Sequence, residues 1–90
     1  MNEEHSPVAI VTGATAGIGL ATAVLLKKEG YTVYGTSRRP QSDSQNGIAM
    51  LACDVTSDES VALVVAEVLR RSGRLDLLVN NAGFWADRRS

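Results

Sequence analysis

Apolar residues fall in two rhythms along this chain. Short, nearly unbroken runs appear at Val8-Ala9-Ile10-Val11, at residues 32–37, at residues 48–53 and at Leu75-Asp76-Leu77-Leu78-Val79. Runs of that length without alternation predict strands covered on both faces. Between them lie two stretches of helical spacing. In residues 18–29, Ile18, Ala21 and Leu25 adjoin a second row of Leu20 and Val24. Lys27 and Lys28 suit the negative end of that helix, and Gly30 suits the left-handed residue that stops it. In the second stretch, Val61, Val64, Val65, Val68 and Leu69 recur at i, i+3, i+4, i+7 and i+8. Thr56-Ser57-Asp58-Glu59 predicts a capping box with Thr56 at the N-cap and Glu59 reaching back. Arg70 and Arg71 close that helix and Gly73 ends it.

Strand, helix, strand, strand, helix, strand is the order of a parallel sheet with helices on both faces. The loop between the second and third strands opens at Pro40 and is too short for a crossover helix; Ser42-Asp43-Ser44-Gln45-Asn46-Gly47 reads as polar loop. Right-handed crossovers then give strand order 3-2-1-4, the first part of a Rossmann-type doubly wound α/β fold. Ligands of such sheets lie beyond the carboxyl ends of the strands. The organisation expected is a flexible tail over residues 1–7, a partial nucleotide-binding domain over residues 8–83 and an irregular end over residues 84–90.

Composition narrows the field. Hydrophobic residues make up 44% and charged residues 21%, which is globular. A net charge of -1 leaves no electrostatic footprint for nucleic acid or an anionic membrane. No apolar run approaches the ~18 residues of a membrane span, and the acidic N-terminus lacks the pattern of a signal peptide. The single cysteine, Cys53, fits a reducing cytoplasm. It sits at a strand end, where free cysteine is a small hydrophobe. His5 stands alone in the tail, and no metal-ligating set appears.

The chemistry begins at Thr12-Gly13-Ala14-Thr15-Ala16-Gly17-Ile18-Gly19. Three glycines between a strand and a helix predict a cradle of backbone N–H groups, which the helix macrodipole makes attractive to phosphate. Gly13 suits the turn out of the strand. Gly17 and Gly19 suit close approach of a pyrophosphate and close packing of helix on sheet. The spacing is G-x-x-x-G-x-G, distinct from the general G-x-G-x-x-G and from a Walker loop.

Together with Asn80-Asn81-Ala82-Gly83, and with Asp54-Val55 after the third strand, this motif resembles the short-chain dehydrogenase/reductase family over residues 8–83. The resemblance implies hydride transfer between a nicotinamide cofactor and an alcohol or carbonyl substrate. It implies that Gly13, Thr15, Ala16, Gly17, Ile18 and Gly19 hold the pyrophosphate side of the cofactor. Asp54 and Val55 would hold the adenine, and Asn80, Ala82 and Gly83 would line the channel beyond it.

The second strand ends in Thr36-Ser37-Arg38-Arg39, without the carboxylate that binds an NAD ribose. Arg38, at the position where NADP-preferring members carry a basic residue, and the Ser37 hydroxyl therefore favour NADP(H) over NAD(H). The alternative is that Arg38 and Arg39 form a solvated turn. Tyr31 and Tyr34 read as packing residues. Phe84 and Trp85 stand beside the rim, either covering it or as an unpacked chain end.

Family catalysis uses a Tyr with a Lys four residues on, and a Ser upstream. Here Tyr31 is followed at that spacing by Gly35, and Tyr34 by Arg38, so no catalytic residue is assigned. The expectation is a truncated, inactive cofactor-binding portion, with the reading frame interrupted near Phe84. Residues 75–79 would then form an apolar edge that invites self-association. Small alcohol or carbonyl substrates and homo-oligomers belong to the full-length form. The competing expectations are a non-catalytic NADP sensor and a non-functional remnant.

Overall fold

The computed structural model describes residues 6–81. The elements run β1 (Val8–Thr12), α1 (Gly17–Lys28), β2 (Thr32–Ser37), β3 (Ser44–Gln45), β4 (Ile48–Ala52), α2 (Asp58–Ser72) and β5 (Leu77–Val79). They form one five-stranded sheet in the order β3-β4-β2-β1-β5. The four strands β4, β2, β1 and β5 are parallel and follow the expected 3-2-1-4 arrangement. The difference is β3, which adds a two-residue antiparallel strand from within the polar loop. Asn46 and Gly47 make its turn with positive φ angles of 55° and 77°. Two polar residues, Ser44 and Gln45, leave no periodic signal to read.

The alternation of side chains across each strand divides the core in two. Val8, Ile10, Tyr34 and Cys53 pack with Val64 and Val68 of α2 on one face. Val11, Ala14, Val33, Ile48 and Met50 pack with Ala23 of α1 on the other. In α2 the predicted stripe meets the sheet through Val61, Val64, Val65 and Val68, while Leu69 stays 44% exposed. Tyr34 does more than pack: its hydroxyl lies 2.6 Å from Ser72 Oγ and ties the end of α2 to β2.

α1 is rotated from the expected setting. Gly19 and Ala23 are its buried residues, while Ile18 is 77% exposed and Leu25 57% exposed. The cause lies at Gly19. A Cβ there would run into the Gly13 carbonyl and lie 2.8 Å from Asn81 Nδ2. Helix and loop therefore meet on the glycine, and the Ile18–Leu25 row turns outward.

The cap of α2 also differs. Ser57 is the N-cap, its hydroxyl accepting from Ser60 N at 3.2 Å. Thr56 is unavailable for the role because its N–H and hydroxyl both donate to Asp54 Oδ1, at 3.0 and 2.6 Å. The helix stops at Gly73, with φ 77° and its N–H on Leu69 O at 2.8 Å.

The edge of the sheet where the parallel strands begin is clasped. Asp76 accepts from Val8 N at 2.8 Å and from Arg74 Nε and Nη2, each at 2.8 Å, and Thr32 N donates to Pro7 O at 2.8 Å.

Candidate cofactor site

All the described candidate residues lie at the opposite edge, where the parallel strands end. β1 leaves the sheet at Gly13, φ 64°, and α1 starts at Gly17, φ 62°. Both values lie in the left-handed region that glycine enters without strain. Ala14 N donates to Thr36 O at 3.1 Å, which straps the loop to the end of β2. Above Gly17 the space is open, with no atom within 4 Å of where a Cβ would stand.

The first turn of α1 is left bare. Ala16 is the N-cap with extended backbone, no side chain caps the helix, and its first turn holds no acidic residue. The opening N–H groups of a helix have no intrahelical partner. Thr15, Ala16, Gly17 and Ile18 are all exposed. An anion is the group that satisfies such a terminus.

Arg38, Arg39 and Asp54 stand beside this cradle. Asp54 N donates to Ser60 Oγ at 2.9 Å, so the first turn of α2 holds the Asp54 loop. Thr56, through its hydroxyl first and then its N–H, holds the Asp54 carboxyl below the usual carboxylate range, and the Arg38 charge adds to this. Arg38 Nη2 lies 3.7 Å from Asp54 Oδ1. A pocket of about 400 Å³ opens here, lined by Gly13, Thr36, Ser37, Arg38, Cys53, Val55 and Thr56. A second pocket, of about 410 Å³, lies among Thr15, Ser37, Arg39 and Gln45. Gln45 Nε2 donates to Thr15 O at 3.3 Å, so β3 borders the glycine loop.

Asn80 joins the site through β1. The Thr12 hydroxyl lies 3.3 Å from both Val79 O and Asn80 Oδ1, binding the ends of β1 and β5 together. Ala82, Gly83, His5, Phe84 and Trp85 lie outside the described residues. The structure thus brings Gly13, Thr15, Ala16, Gly17, Ile18, Gly19, Ser37, Arg38, Asp54, Val55 and Asn80 to one rim. Sequence reasoning missed other members of the pockets, among them Thr36, Cys53 and Thr56 in the first and Arg39 with Gln45 in the second. Arg39 was legible as a charge, but its direction was not.

A model of the short chain dehydrogenase family matches residues 7–90. The chain belongs to that family. Its members bind nicotinamide cofactors. The chain is 43% identical over 76 residues to a 3-ketodihydrosphingosine reductase of Bacteroides thetaiotaomicron, covering 84% of this chain and 28% of that one. It is 38% identical over 92 residues to a 3beta-hydroxysteroid dehydrogenase of Mediterraneibacter gnavus, covering 92% and 33%. Among solved structures, an actinorhodin polyketide ketoreductase variant with NADPH superposes with TM-score 0.82 at 39% identity, over 92% of this chain and 35% of that one. The chain spans about a third of the length of the curated relatives it matches.

The rim fits a dinucleotide on its own geometry. It offers an uncapped helix terminus for the pyrophosphate, open backbone above Gly17, and guanidinium groups beside the end of β2. No helix among the described residues is long and apolar enough to cross a membrane.

Proposed function

We propose that this chain is the NADP(H)-binding portion of a short-chain dehydrogenase that interconverts an alcohol and a carbonyl compound. The observation that carries the reading is the bare N-terminus of α1 set beside Arg38, Asp54 and Val55 on one rim. In this reading residues 8–83 are the cofactor domain, and Gly13 to Gly19 embrace the pyrophosphate. Val55 and Asp54 border the adenine, Ser37 and Arg38 take the 2′-phosphate, and Asn80, Ala82 and Gly83 line the path toward the nicotinamide. The bound cofactor supplies the hydride. The three relatives named above interconvert or reduce unlike ketones or alcohols, which supports the substrate class and leaves its identity to residues elsewhere.

The 90-residue chain carries no Tyr-x-x-x-Lys pair, so binding without turnover is its expected behaviour. A cytoplasmic setting and a homo-oligomeric full-length form belong to the same proposal.

The test is a titration of NADPH and NADH into the purified chain. NADPH is expected to bind more tightly. Arg38→Asp is expected to cut the NADPH-to-NADH affinity ratio by about 10- to 150-fold, the worth of one charge-assisted hydrogen bond. A ratio that Arg38→Asp leaves unchanged removes the assignment of Arg38.

A further inference from the structure

The short strand β3 reaches both ends of α1. It is fastened to the sheet by its own backbone: Ser44 and Gln45 pair antiparallel with Ala49 and Ile48 of β4, and Met50 N donates to Asp43 O at 2.8 Å. Its turn lies against the last turn of α1, where a Cβ on Gly47 would stand 2.9 Å from Lys27 Cε. At the other end the Gln45 side chain crosses to the loop that opens α1. Its Nε2 donates to Thr15 O at 3.3 Å.

That bond falls on a particular peptide group. The Thr15 carbonyl and the Ala16 N–H belong to one planar trans unit and point in opposite directions. A donor that holds Thr15 O therefore also sets the direction of the Ala16 N–H. Ala16 is the N-cap of α1, exposed and without a side-chain cap. On either side of this unit the loop is tied by Ala14 N on Thr36 O and by Leu20 N on Ala16 O. Among the described residues, the Gln45 bond is the one hydrogen bond that Thr15 makes. Without it the peptide would be free to turn between those two ties, and Gly17, with φ 62°, adds no side chain to resist.

We infer that Gln45 is a positioning residue for the cofactor site: through Thr15 O it holds the Thr15–Ala16 peptide in the orientation that receives the pyrophosphate. The inference rests on the cofactor reading above. It adds a residue from outside the glycine motif, and it gives the two-residue strand a task. The positive φ angles of Asn46 and Gly47 turn the chain back onto β4 and so place Gln45 beside the loop.

The test compares the wild type with Gln45→Met in the full 90-residue chain. Methionine keeps the length of the side chain and removes its N–H donor. Three ligands are titrated: NADPH and NADH, which carry the pyrophosphate, and 2′-AMP, which carries the adenosine and the 2′-phosphate without it. Gln45→Met is expected to weaken NADPH and NADH alike by about two- to tenfold, the worth of one hydrogen bond, and to leave 2′-AMP unchanged. Without ligand, heteronuclear NMR is expected to show the Ala16 amide resonance displaced in the variant. A side chain that only supports the hairpin moves neither the ligand pattern nor that resonance.

Wild-type affinities for NADPH and NADH in Gln45→Met overturn the inference and leave the cofactor reading standing. A loss confined to NADPH and 2′-AMP also overturns it, because Gln45 would then touch the 2′-phosphate directly. An equal loss for all three ligands overturns it as a general loosening of the rim. A wild-type chain that binds none of the three overturns the cofactor reading and the inference with it.

Discussion

The two helices of this chain begin in opposite ways. α2 completes its own N-terminus: Ser57 accepts from Ser60 N, and Asp58 and Glu59 set negative charge in the first turn. α1 does none of this. Its N-cap is Ala16, its first turn has no acid, and glycines stand where side chains would otherwise crowd the approach. The same dipole that α2 neutralises internally is left facing outward by α1. The first turn of α2 also holds Asp54, a residue of the rim, through Ser60. One terminus is a structural part that steadies the rim; the other is left uncapped and, in the proposed reading, takes the cofactor's pyrophosphate.

The most damaging way to break this contrast is at Gly19. A Cβ there meets backbone, the Gly13 carbonyl, which has no side-chain freedom to move aside. Gly19→Ala is expected to cost about 3 kcal/mol or more and to abolish NADPH binding. Urea unfolding with an unshifted midpoint would show that helix and loop do not meet on this glycine.

Making α1 resemble α2 gives the next largest effect, and its two readouts move apart. Ala16 already has the extended backbone of an N-cap. Ala16→Asp should therefore cap the helix and stabilise the chain by about 1 kcal/mol. The same carboxylate occupies the N–H groups and repels phosphate, so NADPH binding is expected to fall at least about tenfold. Calorimetric titration alongside urea unfolding reads both, and a variant that gains stability with undiminished NADPH affinity counts against α1 as the phosphate site.

Making α2 resemble α1 has the smallest effect. Ser57→Ala is expected to lower stability by about 1 kcal/mol and to leave NADPH affinity within the error of the wild-type titration. Creation of a new anion-binding terminus there would contradict the contrast, because Asp58 and Glu59 still guard it.

What was legible in the sequence follows the range of the forces involved. The parallel strands, the helix stops at Gly30 and Gly73, and the glycine loop are set by local pattern and backbone preference, and each was readable from its own residues. The rotation of α1 was not, because it depends on Gly19 meeting the Gly13 carbonyl, a contact between separate elements. The cap of α2 was misplaced by one residue for a similar reason. Thr56 and Ser57 both carry hydroxyls, and only the tertiary position of Asp54 decides which is free to cap. β3 is not legible because its own two residues, Ser44 and Gln45, are polar and too few to show a period. At the site, the motif residues were visible as motifs. Gln45 was not, because a glutamine in a polar loop is ordinary until its side chain is seen to donate to Thr15 O.

The clasp of Asp76 with Val8 and Arg74 has a consequence for how such a chain can change over time. It secures β1 and β5 at the edge of the sheet remote from the glycine loop. Substitutions at the rim by the glycine loop can therefore leave this anchorage intact, because none of the rim residues takes part in it.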